Sequence, residues 1–417
     1  MKEMNFRGIL VNYIDVPENV ELGFNFPFKI LMPKELNENP NIIYACNLTS
    51  DFSNECNSIE ELIDKTKKDL GSIDPMLTHL CLENGNPMVI PYVPRFTKFR
   101  PNFLGRDCLY NNFNLEEEDK KFQNYMYLYN DLADQHKAII EYAIEVLKNE
   151  NINVDSKVII SGYSEGAKFA SHLALLHPEI FKAVIAGGTG GVISMPISEI
   201  NGKELKYPLG ISDIKEKFNE KEFKKIKFFY YIGKKDLSDS AMPKFNHIHY
   251  IDENGNESIV RDECGNLTPF INDYDDNSKI IYILYYSEDG KREIKSIIIN
   301  NKDLNKCIFY KNNKGENTLL FDEQGNQLNQ TFLFKDNGDY LAAFDLFNDE
   351  EVNIVNKELG IRTQDRFKEQ EKIYNKCELD CQFKDYNGNH RTIFDERERI
   401  FSDVDIFIND LNKKILK

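Results

Sequence analysis

The sequence predicts an α/β protein with a doubly wound, mostly parallel sheet. The first half of the chain alternates short apolar runs, which suit strands, with longer segments whose apolar residues recur at helical spacing. One apolar run, Lys157–Ser161, suits a strand that is buried on both faces, as the central strands of parallel sheets are. From about residue 245 the pattern changes to short β-like runs separated by turns. We therefore expect a parallel sheet with helices on both faces and an antiparallel β insertion.

The elements follow in order along the chain. Apolar runs bounded by polar residues, glycine or proline predict the strands of the main sheet, at Phe28–Met32, Ile42–Cys46, Met88–Val93, Lys157–Ser161, Ala183–Ala186, Lys225–Ile232 and Gln382–Tyr386. Helical spacing of apolar residues predicts the helices, which are Ser58–Leu70, Phe122–Leu147, Glu165–Leu176, Glu350–Leu359, Arg366–Tyr374 and Ser402–Leu411. Strands that alternate with helices in this way require parallel crossovers.

The β-like block between these helices and strands is rich in hairpin signals. Three five-residue turns share the form Asp-Glu-x-Gly-Asn, at Asp252, Asp262 and Asp322, and further turns are predicted at Asp289-Gly290, Lys314-Gly315 and Asn337-Gly338. Glycine supplies the positive φ that tight hairpins need, whereas the ligand alternation and terminal Glu of a calcium-binding EF-hand are missing. We predict residues 1–244 as the first part of the core, 245–341 as an antiparallel insertion and 342–417 as the last part of the core.

Composition and charge narrow the class of protein. Hydrophobic residues make up 41% and charged residues 29%, as in ordinary globular proteins, and the net charge is −17. A surface with this negative charge repels phosphate backbones and anionic lipid. We therefore expect neither nucleic acid nor a membrane as a partner. The first residues lack a leader pattern and the eight cysteines form no framework, so we expect a cytoplasmic protein with reduced thiols. The sequence leaves the oligomeric state open.

The strongest chemical signal is the pentapeptide Gly162-Tyr163-Ser164-Glu165-Gly166. This G-x-S-x-G pattern follows a predicted strand and opens a predicted helix, as a nucleophile turn requires. The flanking glycines let the strand and helix approach, and the turn holds the serine hydroxyl at the carboxyl edge of the sheet. The alternative is a serine that only caps the helix. We predict Ser164 as the nucleophile.

A serine hydroxyl needs a base, and a base needs an acid to orient it. Of the seven histidines, His390 stands in a loop after a predicted strand and downstream of the serine, as the order Ser–acid–His demands. The best strand between Ser164 and His390 ends just before Asp236, which we predict as the acid, with Asp239 in reserve. The alternatives are a surface-loop histidine and aspartates that only cap a turn.

Backbone N–H groups would stabilise the oxyanion. The first donor is predicted at Glu165, because it opens the helix after the nucleophile, and the second at Leu48 or Thr49, in the loop after the strand Ile42–Cys46. The run Gly187–Gly191 resembles a phosphate-binding loop, but no Lys-Ser/Thr pair follows it, so we interpret it as a flexible loop near the active site. The triad and backbone donors suffice for the chemistry, so neither a metal nor an organic cofactor is implied.

On these residues the chain resembles the α/β-hydrolases of the esterase, depolymerase and dienelactone-hydrolase-like branch. The resemblance lies in Val158–Gly188, with support from Asp131–Gln135 and the Gly233–Asp236 turn, and it extends over about residues 28–243 and 342–417. It implies Ser164 as nucleophile, Asp236 as acid and His390 as base. The loop after residue 46 departs from the histidine–glycine run of many lipases.

Three functions are compatible with this pattern. The first is hydrolysis of a small-molecule or polymer ester through an acyl-enzyme on Ser164. The second is amide or peptide cleavage by the same triad, since the leaving group depends on pocket shape. The third is a binding protein that keeps the fold without turnover. The complete Ser–Asp–His order favours an enzyme, and the insertion is a candidate lid, substrate-binding module or oligomer contact.

Overall fold

The computed structural model describes residues 1–45, 56, 58–66, 73–94, 127–189, 193–234, 236, 249–251, 257–259, 280–286, 292–299, 308–311, 317–319, 349–360, 363–388 and 392–415. The chain divides into two compact units, the first formed by Met1–Asp236 with Phe367–Lys417 and the second by Leu237–Arg366. The sequence range predicted for the insertion, 245–341, falls within the second unit. The predicted domain boundaries themselves stay a prediction.

The first unit is built on a nine-stranded sheet. Its strands are β1 (Lys2–Phe6), β2 (Ile9–Val16), β3 (Phe28–Pro33), β4 (Ile43–Ala45), β5 (Met88–Pro91), β6 (Val158–Tyr163), β7 (Phe181–Gly187), β8 (Lys227–Gly233) and β9 (Asp380–Tyr386). Their order across the sheet is β1-β2-β3-β5-β4-β6-β7-β8-β9. The first three strands pair antiparallel, and β3 also runs antiparallel to β5. From β5 to β9 every pairing is parallel.

Helices cover both faces of this sheet. They are α1 (Ile59–Thr66), α2 (Pro75–Thr78, continued by a π-helical turn to Glu83), α3 (Leu132–Asn149), α4 (Glu165–Leu176), α5 (Glu220–Phe223), α7 (Thr363–Lys376), α8 (Thr392–Asp395) and α9 (Arg397–Ile415); α6 (Asp349–Glu358) belongs to the second unit. Residues of α3, α4 and α7 form one apolar core on one face, and residues of α2, α8 and α9 form another on the opposite face.

Alternation along the strands explains the two cores. In β6, Val158 and Ile160 belong to one core while Ile159, between them, belongs to the other. Successive side chains of a strand point to opposite faces, so a run that is apolar at every position fills both cores at once. The prediction of a central strand buried on both faces is therefore confirmed for this run.

The helix predicted over Phe122–Leu147 begins later than the prediction placed it. Residues 122–126 lie outside the described part, Tyr127–Tyr129 form one 3-10 turn, and the α-helix begins only at Leu132. Asp131 has φ 50°, a left-handed conformation that interrupts a right-handed helix at this point. The structure also contains a hairpin that the sequence pattern did not predict, formed by β1 and β2.

The second unit contains two antiparallel sheets among its described residues. His249–Ile251 pairs with Glu257–Ile259, and Ile280–Tyr286, Arg292–Ile299, Ile308–Lys311 and Asn317–Leu319 form a four-stranded sheet in chain order. The predicted turns at Asp252, Asp289 and Lys314 each stand in the sequence between two strands that pair as neighbours. The turns predicted at Asp262, Asp322 and Asn337 lie outside the described residues.

The described part of the chain also bears on two further expectations, those about the thiols and about a membrane. Cys56, Cys81, Cys377 and Cys381 are free thiols, and burial raises the pKa of the Cys81 thiol to about 12. Among the helices that the structure describes, we find none with the length and apolar content that crossing a bilayer demands.

Candidate active site

Ser164 lies on a sharp turn between β6 and α4. Its backbone has φ 57° and ψ −116°, a conformation that L-residues rarely adopt and that costs about 1–3 kcal/mol. The turn needs glycine two residues before the serine, because a Cβ at Gly162 would stand 2.4 Å from the carbonyl oxygen of Gly166. The strand–turn–helix arrangement predicted from the motif is present, and the strain is concentrated on the serine.

The Ser164 side chain does not serve as a helix cap. The side chain makes no capping hydrogen bond to α4, although the backbone carbonyl oxygen of Ser164 accepts from Ala167 N–H at 3.1 Å. The alternative of a serine that only caps the helix therefore lacks its defining contact. Glu165, the predicted first oxyanion donor, is the first residue of α4, so its backbone N–H lies at the positive end of the helix dipole. Thr49 and Leu48, the predicted second donors, lie outside the described residues.

Three backbone hydrogen bonds along the carboxyl edge of the sheet join the residue after one strand to the end of the next strand. Ser164 N–H donates to Gly187 O, Gly188 N–H donates to Tyr231 O, and Lys234 N–H donates to Tyr386 O, each at 2.8 Å. These bonds begin where the paired strands end, so they continue the parallel pattern by one step beyond β6, β7 and β8. The loops that carry the nucleophile and the candidate acid are thereby fixed on one edge.

Gly187 and Gly188 provide room for two tyrosine rings. A Cβ at Gly187 would stand 2.0 Å from the Tyr231 ring, and one at Gly188 would stand 2.7 Å from Tyr163 Cζ. Gly188 also has φ 56°, which favours glycine. These two positions of the predicted flexible loop are therefore tightly packed beside the nucleophile turn, whereas Gly190 and Gly191 lie outside the described residues.

Asp236 follows β8 at the same edge. Its backbone N–H donates to Gly233 O at 3.0 Å, closing a four-residue turn, and the residue is 0% exposed. An Asp that only capped a surface turn would be exposed, and full burial of a carboxylate requires hydrogen-bond partners. The Asp236 charge also acts on the hydroxyl of Tyr163, the residue before the nucleophile. The reserve acid, Asp239, lies outside the described residues.

The predicted base, His390, lies outside the described residues, but both of its flanks are described. It follows β9 by four positions, and Gly233 of β8 is paired with Tyr386 at the end of β9. Because β8 and β9 are parallel neighbours, the loops that follow them leave the sheet side by side. The loop of Asp236 and the loop of His390 thus start from adjacent points.

The other histidines with described side chains are engaged elsewhere. His79 contacts Glu83 and Asp405, at 2.6 and 2.8 Å, and stacks on Phe401. The remaining three are His136, which hydrogen-bonds Tyr44, His172, whose ring packs against Tyr207, and His177, which contacts Asp134. Burial lowers the pKa of His136 to about 3, with a smaller contribution from His177. These contacts argue against a role as the base for the four histidines whose side chains the structure describes.

The sequence pattern assigned no role to Tyr163, the residue before the nucleophile. It occupies a variable position of the motif, where no residue type is required. In the structure it is half-buried, and its ring lies 6.0 Å from that of Tyr231. Burial, followed by the charge of Asp236, raises the pKa of its hydroxyl well above the ordinary value, although a hydrogen bond with the Ile393 backbone acts in the opposite direction. The hydroxyl therefore stays neutral at physiological pH.

Asp74 is a second group that the pattern missed. Its carboxylate accepts the backbone N–H of Leu77 at 2.9 Å and caps α2. The charge of Asp74 contributes to the raised pKa of both Tyr163 and Tyr231. Asp74 therefore lies near these two tyrosines, beside the carboxyl edge of the sheet. Burial raises the pKa of Asp74 to about 6, against the weaker opposing effects of the α2 backbone and Arg7.

Replacing Asp74 with asparagine should remove a pH-dependent loss of stability. Between about pH 4 and 6 the unfolded chain releases the Asp74 proton before the folded chain does, so stability falls as pH rises through this window. Asparagine also caps helices but carries no charge. After allowance for partial exposure, we expect the variant to be more stable by about 1–2 kcal/mol at pH 7, with the difference shrinking towards pH 4. Urea denaturation at the two pH values measures this; an equal gain at both would contradict it.

Comparison with known proteins gives distant structural likenesses. The sequence matches no protein-family model, and no curated protein matches it. Poly(aspartic acid) hydrolase-1 from Sphingomonas sp. KT-1 aligns over 54% of this chain and 72% of its own, with 15% identity and a TM-score of 0.30. An S-formylglutathione hydrolase from Agrobacterium tumefaciens aligns over 57% and 80%, with 18% identity and a TM-score of 0.30. Acetyl xylan esterase from Aspergillus awamori aligns over 68% and 91%, with 13% identity and a TM-score of 0.29.

The topology of the chain itself decides the fold. The sheet is mostly parallel with helices on both faces, and Ser164 lies on a strained turn between a central strand and the next helix. The first unit has the α/β-hydrolase fold. The predicted fold class is confirmed, including the antiparallel strands that stand between Asp236 and His390 in the chain. In this α/β-hydrolase frame, the carboxyl edge of the parallel strands is the place where open sheets bind ligands.

Proposed function

We propose that this protein hydrolyses carboxylic esters through an acyl-enzyme formed on Ser164. The observation that carries the proposal is the strained backbone of Ser164, with φ 57° and ψ −116°, at the carboxyl edge of the sheet. A fold keeps such strain only where the surrounding structure enforces it, and strained residues concentrate at functional sites. A serine that was merely structural would have no need for this conformation.

The proposed reaction begins with proton transfer. His390 takes the proton of the Ser164 hydroxyl while Oγ bonds to the carbonyl carbon of the ester, and the electron pair of the C=O bond moves onto its oxygen. When the C=O bond forms again, the C–O bond to the alcohol breaks and His390 gives its proton to the leaving oxygen. Water then attacks the acyl-enzyme by the same two steps, releasing the acid and restoring the Ser164 hydroxyl.

The other groups stabilise charge in this scheme. Asp236 would accept the second ring N–H of His390, which selects the tautomer and stabilises the imidazolium. Support comes from the burial of Asp236 and from the pairing of the strands that lead to the two loops. The backbone N–H of Glu165, at the start of α4, would donate to the oxyanion, and Thr49 is the proposed second donor.

Covalent labelling tests this proposal directly. A fluorophosphonate reacts only with a serine that a neighbouring base activates, so it should label the wild type at the peptide that contains Ser164. Mass spectrometry of the digested protein locates the label, and Ser164→Ala should remove it. A folded wild type that stays unlabelled would indicate a binding protein that keeps the fold without turnover.

A further inference from the structure

A pocket of about 510 Å³ lies at the amino edge of the parallel strands. Its walls are the loop before β4, the turn before β5 and the face of α9 between Asp405 and Asn412. Strands β4 and β5 run parallel to β6, so residues before them lie where β6 begins, whereas Ser164 lies where β6 ends. This amino-edge pocket is therefore separate from the candidate active site, and its volume is typical of small-molecule sites.

Contacts of His79 join two walls of the amino-edge pocket. His79 Nδ1 lies 2.6 Å from Glu83 Oε2, before β5, and Nε2 lies 2.8 Å from Asp405 Oδ1, on α9. Asn84 Nδ2 also donates to Asp405 Oδ1, at 2.8 Å. Each carboxylate thus holds the walls together with one oxygen, while its second oxygen has no hydrogen-bond partner within the described residues.

The third wall, the loop before β4, is fixed to the turn before β5. Asn37 N–H donates to Gly85 O, and Asn41 N–H donates to Asn86 Oδ1, both at 2.8 Å. A Cβ at Gly85 would stand 2.8 Å from Asn37 N, so the two segments approach closely at this glycine. The pocket is therefore preformed, because hydrogen bonds join all three of its walls.

Carboxylates make the amino-edge pocket negative. Glu35, Glu83 and Asp405 line it, and none of its lining residues is Lys or Arg. His79, which contacts two of these carboxylates, can offset at most one of the three charges. Carboxylate oxygens accept strong hydrogen bonds from charged N–H donors. The charge of the pocket therefore favours a cationic ligand that carries N–H groups.

Asparagine amides supply most of the other polar lining. Asn41 is 2% exposed, and its Nδ2 is buried with no hydrogen-bond partner among the described residues. A buried donor without an acceptor is costly, so this amide indicates that a ligand completes it. An ammonium group offers no acceptor, whereas a hydroxyl group both donates and accepts. The other asparagines of the lining are Asn37, Asn84, Asn86, Asn409 and Asn412.

We propose that the amino-edge pocket binds a hydroxylated primary amine, the chemistry of an amino sugar. Its ammonium group would lie among the three carboxylates, and its hydroxyl groups would pair with the asparagine amides, one of them accepting from Asn41 Nδ2. Leu36, Leu82 and Ile408 line the pocket as well and would contact the carbon skeleton. This inference goes beyond the proposed function and does not depend on it, because the pocket and Ser164 lie at opposite edges of the sheet.

Three small ligands test the chemistry, by isothermal titration calorimetry on the intact chain at pH 7. D-Glucosamine carries both the ammonium group and the hydroxyl groups. N-acetyl-D-glucosamine keeps hydroxyl groups but loses the charge, and 1,4-diaminobutane keeps the charge but has no hydroxyl group. We expect D-glucosamine to bind about tenfold more tightly than either of the others, as for the loss of one charge-assisted hydrogen bond.

Glu35→Gln locates the bound ammonium group. Glu35 is exposed and lines the pocket, so the change removes one charge and leaves the contacts of His79 in place. We expect binding of D-glucosamine to weaken about fivefold, the upper range for an exposed charge pair. Glu38→Gln is the matched control, because Glu38 is also exposed and belongs to the same loop but does not line the pocket. Its affinity should equal that of the wild type.

Asn41→Leu tests the buried amide by a second readout. Leucine has nearly the shape of asparagine, and the change keeps the backbone N–H that donates to Asn86 Oδ1. Removal of an unpaired buried donor should leave the melting temperature unchanged or raise it, while D-glucosamine binds about tenfold more weakly. A clearly lower melting temperature would show that the fold itself needs Nδ2 and would overturn the role of Asn41 as a ligand donor.

The possible results decide the proposal. Preference for D-glucosamine, weakened by Glu35→Gln and Asn41→Leu and unchanged in Glu38→Gln, supports it. No binding of D-glucosamine to the folded wild type overturns it, and so does equal binding of the N-acetylated sugar or of 1,4-diaminobutane. Equal losses in Glu35→Gln and Glu38→Gln also overturn it, because general attraction to a negative surface then explains the binding. Fluorophosphonate labelling of Ser164 is unaffected by any of these outcomes, so the proposed function stands or falls separately.

Discussion

Replacement of Ser164 by alanine should lower kcat for p-nitrophenyl acetate by roughly 10⁴- to 10⁶-fold, the range seen when a triad loses its nucleophile. Without the hydroxyl no acyl-enzyme forms, and only the oxyanion donors and substrate binding remain. The fold should survive, because the Ser164 side chain makes no capping hydrogen bond and alanine fits the space of serine.

The matched control is Ser161→Ala, three residues earlier on the same strand. Ser161 is 1% exposed within β6 and precedes the turn, so its loss removes a buried hydroxyl without touching the nucleophile. Initial rates at several substrate concentrations, with circular dichroism of each variant, measure the effect. Ser164→Ala with more than a tenth of the wild-type kcat would assign the hydrolysis to another group.

The nucleophile turn could be predicted because its causes are local. Gly162 and Gly166 flank Ser164 within five residues, and the close approach of their backbones is a consequence of that spacing. The apolar run before them supplies a strand of the correct kind, since every residue of Val158–Ile160 fills a core. Information held within one strand and one helix is visible in the sequence.

The edge strands and the helix start were less predictable. In β1 the alternation covers only three residues, with Met4 half-buried, Asn5 exposed and Phe6 buried, which is too short a run to mark a strand in the sequence. The start of α3 depends on the left-handed backbone of Asp131, and a helical apolar pattern continues through that position without a break. Neither property can be read from hydrophobicity alone.

The remaining site residues depend on contacts distant in sequence. The pKa of Asp74 rises because the folded chain buries it, and no neighbour in the sequence indicates that burial. The pKa of the Tyr163 hydroxyl rises through burial and through the charge of Asp236, which lies 73 residues further along the chain. Only the sheet order brings such residues together, and the order of neighbours such as β4 and β6 follows from tertiary packing.

Asp236→Asn should produce the second large effect, a fall in kcat of about 10⁴-fold at pH 7. Asparagine keeps the size of the side chain, but it offers an N–H₂ group as well as an oxygen. The imidazole of His390 can then settle in the wrong tautomer, and the imidazolium loses the carboxylate that stabilises it. The turn should persist, because the substitution keeps the Asp236 backbone N–H that donates to Gly233 O at 3.0 Å.

Asp239→Asn is the matched control, since the two aspartates belong to the same loop and the same charge is removed. Ester hydrolysis by both variants, with thermal unfolding to show equal folding, identifies the acid. We expect Asp239→Asn to keep kcat within about threefold of the wild type, as for a charge outside the site. A large loss in Asp239→Asn with little change in Asp236→Asn would transfer the role of the acid to Asp239. The burial of Asp236, at 0% exposure three residues after β8, favours Asp236 as the acid. An enclosed carboxylate needs a partner, and His390 belongs to the loop that leaves the sheet beside Asp236.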